Sequence, residues 1–308
     1  MTQQPSSRQI SVLVVDDQQY NLDIIEEYLA DTKFKLDLEK DSVKAWTRLE
    51  RNPRRYDIIL LDWMMPNLDG MEMLKRIKAD PKLKHIPVIM QTARTNEDDI
   101  RQGIEAGAYY YLTKPFDEDH LLSIVHAAVD DLIHLEELEH QLHKKVPPSP
   151  LPASANFRIR DLDEATRLAS ELARACPEPD KVVPGINELL VNAIEHGNLN
   201  IGYTEKSQLK HNGVWEKEIA HRLSLPEYKD KIVIVDFEKK DTVITITIRD
   251  EGKGFDWSNY LEFHPERMFD YNGRGIAMAN IFSFDEIKYS DKGNVVTATI
   301  FVTNPKRH

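Results

Sequence analysis

From Ile10 onward, short apolar runs alternate with longer stretches whose apolar residues recur every three or four positions. The runs at 10–15, 35–38, 57–61, 87–91 and 108–112 predict strands, and the segments 20–30, 42–51, 70–79, 96–106 and 118 onward predict amphipathic helices. Five strand–helix units in succession predict a doubly wound parallel sheet, an α/β domain over residues 1–128. Residues 119–145 contain no Gly or Pro, and Leu121, Val125, Ala128, Leu132, Leu135 and Leu142 fall on a heptad seam broken at Glu139. A single long helix is expected there, either paired with a second copy as a homodimer or folded as an amphipathic helix on its own protein. The run Pro147-Pro148-Ser149-Pro150-Leu151-Pro152 predicts an extended, stiff boundary, so residues 129–152 read as a linker.

Beyond it the pattern changes. Asp161 is placed to cap a helix reaching residue 175, with Glu164 at the capping-box position. A second helix holds Glu188. Strands are expected at 232–237, 243–249, 284–289 and 294–302. Residues 202–228 show no clear period apart from Trp215 and a polar helix around 216–222, and read as an insertion. This arrangement predicts an α+β domain over 153–308.

Composition narrows the classes. The 308 residues suit about two domains, and 41% hydrophobic with 30% charged residues suits globular ones. A net charge of −12 without a basic stripe argues against nucleic-acid binding. The single cysteine, Cys176, excludes an intramolecular disulfide and suits a cytoplasmic location. The first nine residues are polar, and no apolar run approaches the ~20 residues of a membrane helix.

Ligands of open α/β sheets sit at the carboxyl ends of the strands, where this sequence puts Asp16, Asp17, Asp62, Thr92 and Lys114. Three carboxylates in one crevice need a divalent cation among them. Asp62 is then placed to attack a phosphoryl group, with Thr92 and Lys114 holding the phosphate oxygens. Residues 8–128 closely resemble a response-regulator receiver domain of the flavodoxin-like fold. The resemblance implies that Asp62 is the phosphoacceptor, that Asp17 and the Met64 carbonyl bind Mg2+ with Asp16 assisting, that Lys114-Pro115 is a cis pair, and that Thr92 and Tyr111 form the switch pair.

In the second half, Glu188, Asn192 and His196 stand at i, i+4 and i+8, which on a regular helix share one face. A carboxylate there suits proton transfer and an amide oxygen suits a hard cation. Downstream lie Asp250-Glu251-Gly252-Lys253-Gly254 after an alternating strand, and Gly273-Arg274-Gly275 before a helix-like run. Glycines at such a helix start let backbone N–H groups approach phosphates. In this order the motifs resemble the GHKL ATP-binding fold shared by gyrase and histidine kinases, and with His196 most resemble its anti-sigma-factor serine-kinase branch. The resemblance implies Asn192 on the Mg2+ of ATP, Asp250 on the adenine amine, and Gly252 and Gly254 opening the loop. It further implies Gly273, Arg274 and Gly275 around the phosphates, Thr297 near adenine, residues 255–271 as a lid, and Glu188 as general base.

The expectation is a two-component response regulator in which Asp62, phosphorylated by an upstream histidine kinase, controls a protein serine/threonine kinase. The resemblance implies as partners an antagonist (STAS-like) protein or a sigma factor. A non-catalytic ATP-binding sequestering module, or a histidine-kinase hybrid, stays open beside it; His126, His134, His140 and His143 lack the second helix that a phosphoacceptor hairpin requires.

Overall fold

The computed structural model describes residues 9–93, 97–144, 151–257, 279, 282–290 and 292–302. The chain divides into two units, one up to Ile133 and one from His134. In the first, β1 (Ser11–Val15), β2 (Lys35–Glu39), β3 (Ile58–Asp62), β4 (Val88–Thr92) and β5 (Tyr110–Thr113) alternate with α1 (Gln19–Tyr28), α2 (Ser42–Arg51), α3 (Gly70–Ala79), α4 (Glu97–Glu105) and the start of α5 (Glu118–His143). All pairings are parallel, in the order β2-β1-β3-β4-β5. Residues 58–62 and 88–92 are buried throughout, as central strands covered by helices on both faces must be. The Asp41 side chain accepts from Val43 and Lys44 N–H groups, and Asp69 accepts from Glu72 N–H, which fixes where α2 and α3 begin.

The second unit contains β6 (Ser154–Ile159), α6 (Leu162–Arg174), α7 (Pro179–Asn192), a π-helical turn (Ala193–Asn198), α8 (Tyr203–His211), α9 (Trp215–Ser224), β7 (Val233–Lys239), β8 (Val243–Arg249), β9 (Glu286–Tyr289) and β10 (Val295–Phe301). Its sheet is antiparallel in the order β6-β7-β8-β10-β9. Ile244, Ile246 and Ile248 alternate inward along β8 and share one core with Leu172, Ile186 and Leu190 of α6 and α7. Asp161 caps α6 by accepting from Glu164 N–H, while the Glu164 carboxylate accepts from Arg160 N–H at 2.7 Å. Strand β6 was not expected from the sequence; its inward residues Ala155 and Phe157 are half-buried and Ile159 joins the core.

Helix α5 runs without interruption over 26 residues. Most of its seam is covered inside the chain: Leu121, Val125, Ala128 and Leu132 are buried and Leu142 belongs to the core of the second unit, while Leu135 is half-buried. Pairing with another copy is therefore not required to cover these positions. The Arg174 guanidinium donates to the Gln141 and Leu142 carbonyls at 2.6 and 2.9 Å, satisfying the last carbonyls of α5. No described helix is long and apolar enough to cross a membrane.

The insertion is folded in firmly. The fully buried Glu195 carboxylate of the π-helical turn faces the Lys206 ammonium of α8 at 2.5 Å. Arg222 of α9 donates to the Leu199 and Asn200 carbonyls at 2.9 and 3.1 Å and pairs with Glu205 and Glu218. Removing one partner of a buried pair strands the other charge. Lys206→Met is expected to cost about 3–5 kcal/mol in urea unfolding, and Glu195→Leu/Lys206→Met together to recover most of that loss.

Candidate phosphoacceptor and nucleotide sites

In the first unit, Asp16 follows β1, Asp62 ends β3, Thr92 ends β4 and Lys114 follows β5, so parallel register alone brings them to one edge of the sheet. Lys114 Nζ donates to Asp16 Oδ2 and Asp62 Oδ1, both at 2.6 Å. Asp16 is fully buried and its other contacts are Gln18 N–H and the Asn21 amide. Its oxygens are thus engaged, which suits an assisting role. Asp17 Oδ1, by contrast, is buried with no hydrogen-bond partner among the described residues. An orphaned carboxylate oxygen beside two further carboxylates fits a cation ligand. No three His, Cys, Asp or Glu side chains close around a metal among the described residues; a site completed by a backbone carbonyl and water does not need them to.

Burial raises the Asp62 carboxyl above its usual range, and the Lys114 hydrogen bond pulls it back down. The Met64 N–H donates to Asp62 Oδ2 at 2.9 Å, while the Met64 side chain is exposed. Lys114-Pro115 is cis. The Tyr111 ring is buried, 6.0 Å from the Trp63 ring beside Asp62. Its hydroxyl occupies the space that any Cβ at Gly103 of α4 would take. Asn21 and Gly103 were not singled out by the sequence. An amide in the first helix and a glycine within a helical pattern carry no distinguishing local signal.

In the second unit a pocket opens between α7, the π-helical turn and β8, β9 and β10. Asn192 lines it and donates to Glu188 Oε1 at 2.8 Å, the contact expected of i and i+4 on a helix. His196, four residues further on, lines the same pocket as Asn192. The bond from Leu199 N–H to Ile194 O marks the wider i→i+5 winding, which turns His196 toward Ile201 and Tyr203. Asp250 follows β8 and faces the same pocket. Burial pushes its carboxyl up to about 6, against the lowering influence of the Gly252 N–H it accepts.

Two glycines make room for that carboxylate. A Cβ at Gly197 would overlap the Asp250 carboxyl carbon, and one at Gly252 would stand 2.5 Å from the Gly197 carbonyl oxygen. Gly254 has φ +79, and a Cβ there would overlap the Lys292 carbonyl. Thr297 requires correction. Its hydroxyl pairs with Thr247 at 3.0 Å, while Val296 and Ile248 line the pocket. Successive strand residues face opposite sides of a sheet, so a slip of one position carried the expectation to the wrong face. Phe255 and Trp257 flank Tyr289 at 5.5 and 5.9 Å between ring centres. Gly273, Arg274 and Gly275, and residues 258–271 of the expected lid, lie outside the described residues.

A family model described as the response regulator receiver domain matches residues 12–126, and one described as the histidine kinase-like ATPase domain matches residues 155–300. Chemotaxis protein CheY-3 of Vibrio cholerae is 34% identical over 111 residues, which are 36% of this chain and 84% of that protein. The chain belongs to the response-regulator receiver family. Response regulator PleD of Caulobacter vibrioides is 35% identical over 130 residues, 42% of this chain but 28% of its own length, so the match spans little more than a quarter of that relative. Among solved structures, chemotaxis protein CheY4 of Vibrio cholerae is 26% identical over 39% of this chain and 99% of its own, with a TM-score of 0.37. The receiver domain of the Pseudomonas aeruginosa sensor histidine kinase PA1611 is 31% identical over 40% and 99%, with a TM-score of 0.37. The first unit is a flavodoxin-like receiver domain, and the second matches a histidine kinase-like ATPase domain, a match that points in general to ATP and Mg2+.

The raised Asp250 carboxyl has a stability consequence. Between about pH 4 and 6 the folded protein holds a proton that the unfolded chain releases, so this group makes stability fall as pH rises through that window and leaves it lower above about 6. Asp250→Asn is expected to flatten this slope and to raise nucleotide-free stability at pH 7 by about 2 kcal/mol, discounted for partial exposure. It should also weaken adenine-nucleotide binding. Urea unfolding at pH 5 and pH 7, with nucleotide titration beside it, checks both parts.

Proposed function

We propose that this chain is a two-component response regulator whose phosphorylation at Asp62 by a separate histidine kinase controls an ATP- and Mg2+-dependent protein serine/threonine kinase of the anti-sigma-factor type. The observation that carries the reading is the coexistence of two separate site sets. One is Lys114 bridging Asp16 and Asp62. The other is a pocket holding Asp250 and Asn192, with Glu188 hydrogen-bonded to Asn192.

In the receiver, Asp62 Oδ would form the bond to phosphorus as the donor histidine nitrogen leaves. Lys114 would keep its charge on the new phosphoryl oxygens, and Asp17, with the Met64 carbonyl, would hold Mg2+. In the second unit, Asn192 would hold a Mg2+ that neutralises phosphate charge. Glu188 would take the proton of a serine or threonine hydroxyl as that oxygen bonds to the γ-phosphorus and ADP departs. Arg274 and its neighbouring glycines are the proposed phosphate loop. The proposed setting is the cytoplasm, with an antagonist (STAS-like) protein as substrate and a sigma factor as a second partner. Self-association through α5 accompanies the proposal, and a strict monomer by solution mass measurement, with and without phosphodonor, would remove it.

Labelled ATP is the direct test, with Mg2+ and a candidate antagonist protein, with and without a small phosphodonor. Acid-stable label on the antagonist should drop by about 100-fold or more in Glu188→Ala. Asp62→Ala should lose the response to phosphodonor yet still bind ATP. Undiminished function in Glu188→Ala would turn the reading to a sequestering module.

A further inference from the structure

The insertion that the sequence left without a role forms part of the nucleotide pocket, and its contacts converge on one imidazole. His196 Nδ1 lies 2.5 Å from the Ile201 carbonyl oxygen. A carbonyl has no proton to give, so Nδ1 carries the hydrogen. Burial and the nearby Lys206 charge both lower the His196 pKa, keeping the ring neutral. In that tautomer Nε2 is a bare acceptor, and it is buried with no hydrogen-bond partner among the described residues. The ring belongs to the pocket wall, and Tyr203 packs on it with 4.1 Å between ring centres.

Residues 199–224 supply contacts that hold this geometry. Arg222 holds the Leu199 and Asn200 carbonyls beside Ile201, and Lys206 ties α8 to the buried Glu195 next to His196. Asp250 presents a second acceptor to the same pocket, with its carboxyl carbon packed against Gly197, the residue after His196. His196 and Asp250 line one pocket, and two acceptors there suit a group that brings two protons. A 6-amino purine brings two on one nitrogen; a 6-oxo purine turns a carbonyl toward both.

We propose that His196 Nε2 is a second reader of the base, sharing the exocyclic amine with Asp250, and that the insertion serves to hold His196 in this orientation. This rests on the reading of the pocket as an ATP site. It makes His196 a specificity-determining residue and Tyr203 a positioning residue.

Equilibrium binding of ATP, N6-methyl-ATP and ITP to the full chain tests it. If Asp250 alone reads the amine, N6-methyl-ATP keeps the one N–H that Asp250 needs and binds like ATP. With two readers, it should bind roughly tenfold more weakly than ATP, and ITP more weakly still. In His196→Phe, which keeps a ring for Tyr203 but no acceptor, ATP should weaken roughly tenfold and the ATP to N6-methyl-ATP ratio should fall toward one. His196→Gln, whose amide oxygen can accept, should restore part of the ratio. Wild-type protein that binds both nucleotides equally overturns the proposal without any variant. A ratio unchanged in folded His196→Phe does so as well, and shows that any penalty was steric. Wild-type protein that binds no ATP overturns the ATP site, and this inference with it.

Discussion

The candidate nucleotide pocket depends on one local deviation, the change from α- to π-helical winding after Asn192. Up to that residue the helix obeys the ordinary period, and Glu188 and Asn192 meet at 2.8 Å as i and i+4 neighbours. Past it, the Leu199 N–H reaches back to Ile194. Gly197 is thereby brought against Asp250, and Asn198 Oδ1 accepts from the Glu251 N–H at 2.8 Å. The strand end that carries Asp250 and the helix end that carries Asn192 are thus fixed to each other by the same turn. π-turns of this kind lose hydrogen-bond quality and persist where surrounding packing holds them.

The receiver site rests on a different balance. Asp16 and Asp62 are buried carboxylates whose mutual repulsion is offset by one ammonium, Lys114, that touches both. The Asn21 amide and Gln18 N–H complete the shell of Asp16, leaving Asp17 as the carboxylate with an uncommitted oxygen. That division of labour follows from hydrogen-bond capacity: an oxygen that already accepts two bonds has little left for a cation. Behind it, Trp63 follows Asp62 directly and contacts Tyr111. A change at Asp62 therefore has a packed route toward α4, where Gly103 leaves room for the Tyr111 hydroxyl.

Much of this was written in the sequence, for identifiable reasons. Central parallel strands are apolar on both faces, so β1, β3 and β4 stood out, and helices α2 and α3 begin at the side-chain caps Asp41 and Asp69. The candidate residues at the strand ends, Asp16, Asp62, Thr92 and Lys114, follow once the strand order is known. What escaped has the opposite character. Helix α8 is short and incompletely buried, with little periodicity to read, and the alternating β6 follows directly on the proline-rich boundary. Gly197, Tyr203 and Asn21 act through spatial neighbours that sequence spacing does not connect. Thr297 fell on the wrong side of β10 because a strand reverses its faces with a one-residue slip. The π-helical turn could not be read, since its residues are those of any amphipathic helix.

The insertion shows how a costly pair can be retained for geometry. Burying Glu195 and Lys206 side by side removes two charges from water, and apolar residues of the same volume would serve the core as well or better. Apolar contacts, however, do not fix orientation. The carboxylate lies one residue before His196, and the ammonium three residues after Tyr203, so the pair sets the register of α8 against the π-helical turn. The Arg222 contacts to Leu199 and Asn200 fix the intervening loop in the same way. Together they position the Ile201 carbonyl that selects the His196 tautomer, so the charge on Lys206 acts on the pocket through orientation as well as through its field. An insertion that only covered hydrophobic surface would not need the Lys206–Glu195 pair and the two Arg222 contacts beside the Ile201 carbonyl.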